Sequence, residues 1–190
     1  MLRSDALRAI YPELQSRIVV TIMGATACEL YALGHRPNFF YLQHAMGLAS
    51  SLGMGIALAL PSEKVIVLDG DGSLLMNLGT LSTMARYQPG NLLHIVFDNE
   101  NMASIGGFPT ATATGTDLAG IARESGVPAV FFASTLEEFQ AQVQQALITN
   151  TLTTIVAKVE SVPPQSLFMD ITLQENRDQF RRFLEARGRS

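Results

Sequence analysis

Five apolar runs, rich in β-branched residues and each followed by a segment with helical spacing, constrain this chain more than any other feature. The runs are IVVTI at 18–22, VIVL at 65–68, LLHIVF at 92–97, AVFF at 129–132 and TTIVAKV at 153–159. Helical spacing occupies 25–33, 46–60, 74–87, 117–125, 136–148 and 174–186. Strands that are apolar throughout, instead of alternating apolar with polar, belong to sheets covered on both faces. The expectation is an α/β fold: a doubly wound, mostly parallel sheet with helices on both faces. At 190 residues, 1–190 is expected to form one domain with a sizeable core.

Such folds bind ligands beyond the carboxyl ends of their strands. The first long run ends in Met23-Gly24-Ala25, the second in Asp69-Gly70-Asp71-Gly72-Ser73 and the third in Asp98-Asn99-Glu100-Asn101. Gly70 and Gly72 leave backbone on both sides of Asp71 open to close approach. Ser73 is expected at the N-cap of the next helix, where free N–H groups favour a phosphate. A hard cation such as Mg²⁺ combines few protein oxygens with phosphate and water. The Asn99 side chain and a main-chain carbonyl just beyond it would supply further oxygens if the two strands are adjacent. An EF-hand reading fails, because Leu74 and Thr80 stand where Gly and Glu are required. Neither a Walker loop nor GxGxxG is present. On these residues alone, a simple Asp-Gly turn with solvated or capping carboxylates stays open beside the phosphate-and-cation site.

Composition narrows the partners. Hydrophobic residues make up 47% and charged residues only 16%, so some apolar surface is expected to face another chain. With a net charge of −4 and thirteen basic residues that form no run, nucleic acid is not an expected partner. The single Cys28 forms no internal disulfide, and the first residues lack the basic-then-apolar order of a secretory signal, so a cytoplasmic location is expected. The uncharged stretch 37–62 is broken by Gly47, Ser50, Ser51, Gly53 and Gly55 and reads as a helix packed inside protein, not a membrane span. The small-residue segment 106–115 (GGFPTATATG) reads as a loop, placed to act as a lid or specificity loop.

The run GDGSLLMNLG followed by DNEN resembles the paired motif of thiamin diphosphate-dependent enzymes. FYLQHAMGLASSLGMGIALAL and DNENMASIGGFPT resemble two further segments of that family, in its sulfopyruvate and phosphonopyruvate decarboxylase branch. The likeness runs from about Ile18 to Val159 and is to the diphosphate-binding (PP) domain, the thiamin diphosphate-binding fold. It implies that Asp71 and the Asn99 side chain are Mg²⁺ ligands, with the Asn101 main-chain carbonyl as a third. Gly72 and Ser73 would contact the diphosphate, with Gly24 and Gly70 in the same cofactor-binding set. Met46 would prop the cofactor, although a methionine on a helix is ordinarily core.

Three positions depart from the family pattern: His44 and Glu100 replace small residues, and Phe108 replaces Gln. An apolar Phe108 would suit a 2-oxoacid with an apolar side chain. His44 reads either as an acid/base near the reacting carbon or as a structural histidine. His35 falls in an expected loop, His94 inside a strand, and Cys28 reads as a small helix residue.

The resemblance implies attack of the cofactor's ylid on a 2-oxoacid carbonyl followed by loss of CO₂, a lyase reaction. An acetolactate synthase-like carboligase subunit and a non-catalytic or regulatory subunit are the alternatives. In the family a Glu on a pyrimidine-binding (PYR) domain activates the cofactor. Glu29, Glu63, Glu124, Glu137 and Glu138 have no matching context here, so the activating Glu is expected from a separate PYR-type chain. The expected assembly is a hetero-oligomer, with self-association also open.

Overall fold

The strands over Val65–Gly70 and Leu92–Asp98 are buried almost end to end, as a sheet covered on both faces requires. They form the centre of the computed structural model, which describes residues 1–188. In chain order the elements are α1 (Arg3–Leu14), β1 (Ile18–Thr21), α2 (Ala25–Ala32), β2 (Phe39–Tyr41), α3 (Ala49–Ala59), β3 (Val65–Gly70), α4 (Asp71–Leu75) and α5 (Gly79–Tyr87). There follow β4 (Leu92–Asp98), β5 (Asn101–Met102), β6 (Phe108–Pro109), α6 (Leu118–Glu124), β7 (Ala129–Ala133), α7 (Leu136–Ile148), β8 (Thr153–Lys158) and α8 (Leu173–Arg187).

Six strands pair in the order β2-β1-β3-β4-β8-β7, every pair parallel, while β5 and β6 form a small antiparallel hairpin. Side chains alternate between two cores. Ile66, Leu68, Leu93 and Ile95 pack with α1, α2 and α7; Val65, Val67, Leu92 and Val96 pack with α3, α5, α6 and α8. The doubly wound α/β architecture is the one the apolar runs predict. From β1 the chain crosses to β2 on one side, while β3 leads to β4 on the other, so the crevice between the ends of β1 and β3 is the topological switch point.

Register builds the crevice. Gly70 pairs with Phe97, Thr21 with Leu68, and Asp98 with Lys158. Asp71 therefore follows β3 beside Asp98, with Met23-Gly24 on its other flank and Lys158 beyond.

Several expected boundaries shift for local reasons. The uncharged stretch is not one helix: it holds the short strand β2, and α3 begins at Ala49 because His44 and Gly47 turn the chain with φ of +54° and +83°. Met46 thus lies in a turn and not on the helix. The expected helix 74–87 divides into α4 and α5, joined by tight i→i+3 bonds from Met76, Asn77, Thr80 and Leu81. Ser73 is the third residue of α4 and not its cap, which is Gly70. The loop 106–115 contains β6 and a short 3₁₀ turn over Ala111–Thr114. Helix α1 is unsignalled because Pro12 interrupts its pattern.

Edge strand β2 is covered by a side chain. Asn176 of α8 accepts from the Tyr41 N–H at 3.0 Å and donates to the Phe39 carbonyl at 2.8 Å, giving the edge the bonds a further strand would make. No helix among the described residues is long and apolar enough to cross a membrane.

Candidate cofactor-binding site

Most of the residues singled out at the strand ends line one cleft. Gly24, Met46, Gly70, Asp71, Gly72, Ser73, Asn99 and Asn101 all border it, together with Met23 from the end of β1 and Met102 from the hairpin. His44 does not; it is exposed on the bend leading to Met46. Phe108 is 64% exposed at the start of β6, opposite Met102, and also lies outside the cleft lining.

Asp71 is buried at the first position of α4. Burial, helped by the neighbouring Asp98 carboxylate, pushes its carboxyl above the ordinary range; the Thr110 hydroxyl and the N–H groups of Gly72 and Asn99 oppose that rise without cancelling it. Such a group favours a cation beside it. Asn99 accepts the Asn101 N–H on Oδ1 at 3.2 Å, an Asx-type turn that sends the chain back past the cleft. Between them Glu100 has φ of +57°. Its side chain meets Lys158 Nζ at 2.5 Å, and the same ammonium lies 3.2 Å from Asp98 Oδ2. Those two carboxylates outweigh the opposing effect of burial and hold the Lys158 ammonium's pKa above its usual value.

The glycines have distinct reasons. At Gly24, φ is +82° and nothing lies within 4 Å of where a Cβ would stand, so the backbone is both left-handed and open to the cleft. At Gly72 a Cβ would press on Met102 Cγ at 3.2 Å and Thr110 Cγ2 at 3.5 Å, since the hairpin packs directly on the turn. Ser73 Oγ accepts the Gly47 N–H at 3.0 Å, tying the Met46 turn to the GDG segment.

These residues fit a diphosphate with a hard cation. The donors are all oxygens, and the glycine-lined turn admits a bulky anion. No cluster of three or more His, Cys, Asp and Glu occurs among the described residues; the candidate set relies instead on one carboxylate, one amide and one carbonyl, which suits Mg²⁺ with its retained water and phosphate ligands.

Two of the three departures noted in the sequence, His44 and Glu100, have the left-handed backbone that favours glycine. Sequence reasoning missed Thr110 and Thr112, whose hydroxyls reach the strand-end carboxylates. For Thr110 the only signal is the resemblance of GGFPT to the family segment; Thr112, two residues beyond it, has none. It also missed Arg3, which borders the cleft and is held to Glu29 by bonds of 2.9 and 3.0 Å. A lone arginine near the start of a chain carries no signal of that kind. None of Glu29, Glu63, Glu124, Glu137 and Glu138 lines the cleft.

An all-parallel, doubly wound sheet with a glycine-lined, oxygen-rich crevice at its switch point defines a cofactor-binding α/β domain. Residues 23–157 match the family described as thiamine pyrophosphate enzyme, C-terminal TPP binding domain, and the chain belongs to that family. It is 40% identical over 157 residues to the sulfopyruvate decarboxylase subunit beta of Methanocaldococcus jannaschii, covering 82% of each chain. With the phosphonopyruvate decarboxylase of Streptomyces hygroscopicus it shares 40% identity over 154 residues, 80% of this chain but 38% of that longer protein. The fold is similar to that of a Mycobacterium smegmatis protein assigned as a thiamin diphosphate-dependent enzyme, with a TM-score of 0.72 and 20% identity, over 84% of this chain and 32% of the other.

Proposed function

We propose that this chain is the thiamin diphosphate- and Mg²⁺-binding subunit of a heteromeric 2-oxoacid decarboxylase, with residues 1–190 as its PP-type domain and a PYR-type domain on a separate chain. The observation that carries the reading is the convergence of Asp71, Asn99 and Asn101 on one crevice at the ends of β3 and β4. Support for the substrate class and the heteromeric state comes from the relative named as a subunit beta, whose length this chain largely spans.

In this reading Asp71, the Asn99 side chain and the Asn101 carbonyl hold the metal. The backbone at Gly24, Gly70 and Gly72, with Ser73, receives the diphosphate, and Met46 supports the organic part of the cofactor from the turn that Ser73 ties down. When bound, thiamin diphosphate supplies the electron sink for loss of CO₂ from a 2-oxoacid. The chain's own part is to orient it and to exclude water with Met23, Met46 and Met102. Because no glutamate among the described residues lines the cleft, the activating carboxylate is assigned to the partner. His44, exposed on the bend, is left free to face that partner or the substrate.

The test is CO₂ release from a panel of 2-oxoacids bearing sulfonate, phosphonate and apolar side chains, with the chain alone and with a PYR-type subunit. The reading expects turnover only in the presence of both chains. Turnover by the single chain would refute the split site; a complex that binds cofactor but decarboxylates nothing would favour the non-catalytic alternative.

A further inference from the structure

Two hydroxyls of the 106–115 loop reach the carboxylates at the strand ends. Thr110 Oγ1 donates to Asp71 Oδ2 at 2.5 Å. Thr112 Oγ1 lies 2.7 Å from Asp98 Oδ1 and 3.3 Å from the same Asp71 oxygen. The two hydroxyls are 2.9 Å apart, and all four side chains are buried. Each threonine has a single proton to give. The shortest contacts assign one to Asp71 and the other to Asp98, so the pair bridges two strand ends while adding no charge. Oδ2 of Asp71 is thereby engaged by the loop, which leaves Oδ1 as the oxygen the loop does not use.

The rest of the loop is anchored around the same point. The Thr110 N–H donates to the Glu100 carbonyl at 3.0 Å, the Gly107 N–H donates to the Met102 carbonyl at 3.1 Å, and Asn101 Nδ2 donates to the Gly107 carbonyl at 2.9 Å. Outward from these bonds the loop presents the exposed side chains of Ile105 and Phe108. Where Phe108 stands is thus decided by bonds that end on Asp71 and on the neighbours of Asn99.

We infer that Thr110 and Thr112 are positioning residues for Asp71, and that they fasten the Phe108 loop to that carboxylate so that cation occupancy and loop order are coupled. The fastening is a property of the chain itself; the coupling rests on the reading of Asp71 as a metal ligand. Thr110→Val removes the hydroxyl at nearly constant volume, and Thr110→Ser keeps it.

Hydrogen exchange read by mass spectrometry on the full chain, first without added cofactor, separates the two claims. Thr110→Val is expected to speed exchange across 106–115 by about tenfold or more, as loss of a hydrogen bond to a charged group implies, while Thr110→Ser stays within about twofold of the parent. Exchange in β4 reports whether the fold is intact; if Thr110→Val loosens β4 as well, Thr112→Val takes its place with the same expectation. Equal loop exchange in the parent and the valine variant overturns the fastening. Mg²⁺ with thiamin diphosphate is then expected to slow loop exchange in the parent and in Thr110→Ser, and calorimetry is expected to read about tenfold weaker binding in Thr110→Val. Binding by the parent with no change in loop exchange overturns the coupling alone. No binding by the parent, even with a PYR-type partner present, overturns the cofactor reading, and the coupling with it, while the exchange comparison without cofactor still decides the fastening.

Discussion

Glu100 meets Lys158 at 2.5 Å from a backbone held at φ of +57°. The ion pair and the strained turn lie beside Asn99, at a position where the family resemblance expects a small residue. Left-handed φ costs a non-glycine residue roughly 1–2 kcal/mol, whereas a partly exposed ion pair contributes about 0–1 kcal/mol.

Glu100→Gly and Glu100→Ala both remove the pair, but only glycine relieves the turn. Denaturant midpoints are expected to place the glycine variant about 1 kcal/mol above the alanine variant and no lower than the parent. A glycine variant less stable than alanine would mean that the backbone is not strained there.

Helix α3 carries two glycines with opposite expectations. A Cβ on Gly53 would collide with Val67 Cγ2 in the core, while one on Gly55 meets nothing within 4 Å. Gly53→Ala is expected to cost about 1–3 kcal/mol by overpacking. Gly55→Ala should stabilise by up to about 1 kcal/mol through helix propensity. Urea unfolding of the two variants measures both signs.

Asp69 and His94 form a fully buried pair just beneath the site. His94 Nε2 lies 3.4 Å from Asp69 Oδ2, and Asp69 Oδ1 accepts the Gly70 N–H at 2.9 Å at the start of the GDG turn. His94→Leu leaves a buried carboxyl oxygen unpaired and is expected to cost at least about 1–3 kcal/mol. In a double-mutant cycle with Asp69→Leu, a coupling of about 0.5 kcal/mol or more is expected; strict additivity would show that the pair contributes nothing.

Much of the architecture is legible because it rests on patterns that local chemistry alone sets. Continuous apolar runs reveal strands buried on both faces, and the 136–148 pattern matches α7, whose Thr135 and Glu138 close a capping box. The strand-end clusters are legible for the same reason, since in a doubly wound sheet the register of β3 and β4 puts Asp71 beside Asp98. What stayed hidden depends on contacts distant in sequence. β2 is only three residues long and draws its outer bonds from Asn176, 135 positions beyond Tyr41. Thr110 reaches Asp71 across 39 positions, and nothing in TATAT distinguishes a buried hydroxyl from a solvated one. The division of α4 from α5 comes from the tight turn at Met76–Asn77, where Asn77 also donates to the Gly47 carbonyl at 2.9 Å.

The capping box supplies a pH prediction. The N–H and hydroxyl of Ser134 and the N–H of Thr135 hold the exposed Glu138 carboxyl below its ordinary 4.5. A carboxyl depressed in the folded state contributes stability above its unfolded value and loses it as pH falls through the folded one. Glu138→Gln is therefore expected to be less stable than the parent at neutral pH. The gap should narrow as the pH drops below 4.5, followed by thermal melts across that range.

The central claim is that Asp71 anchors a metal-dependent thiamin diphosphate site completed by a second chain. Calorimetric titration of thiamin diphosphate, with and without Mg²⁺, into the parent chain and Asp71→Ala, each alone and with a PYR-type partner, tests it most directly. The account predicts saturable binding that requires Mg²⁺, tightens with the partner and disappears in Asp71→Ala. Binding that survives Asp71→Ala unchanged, or no binding by the parent even with the partner present, would contradict it.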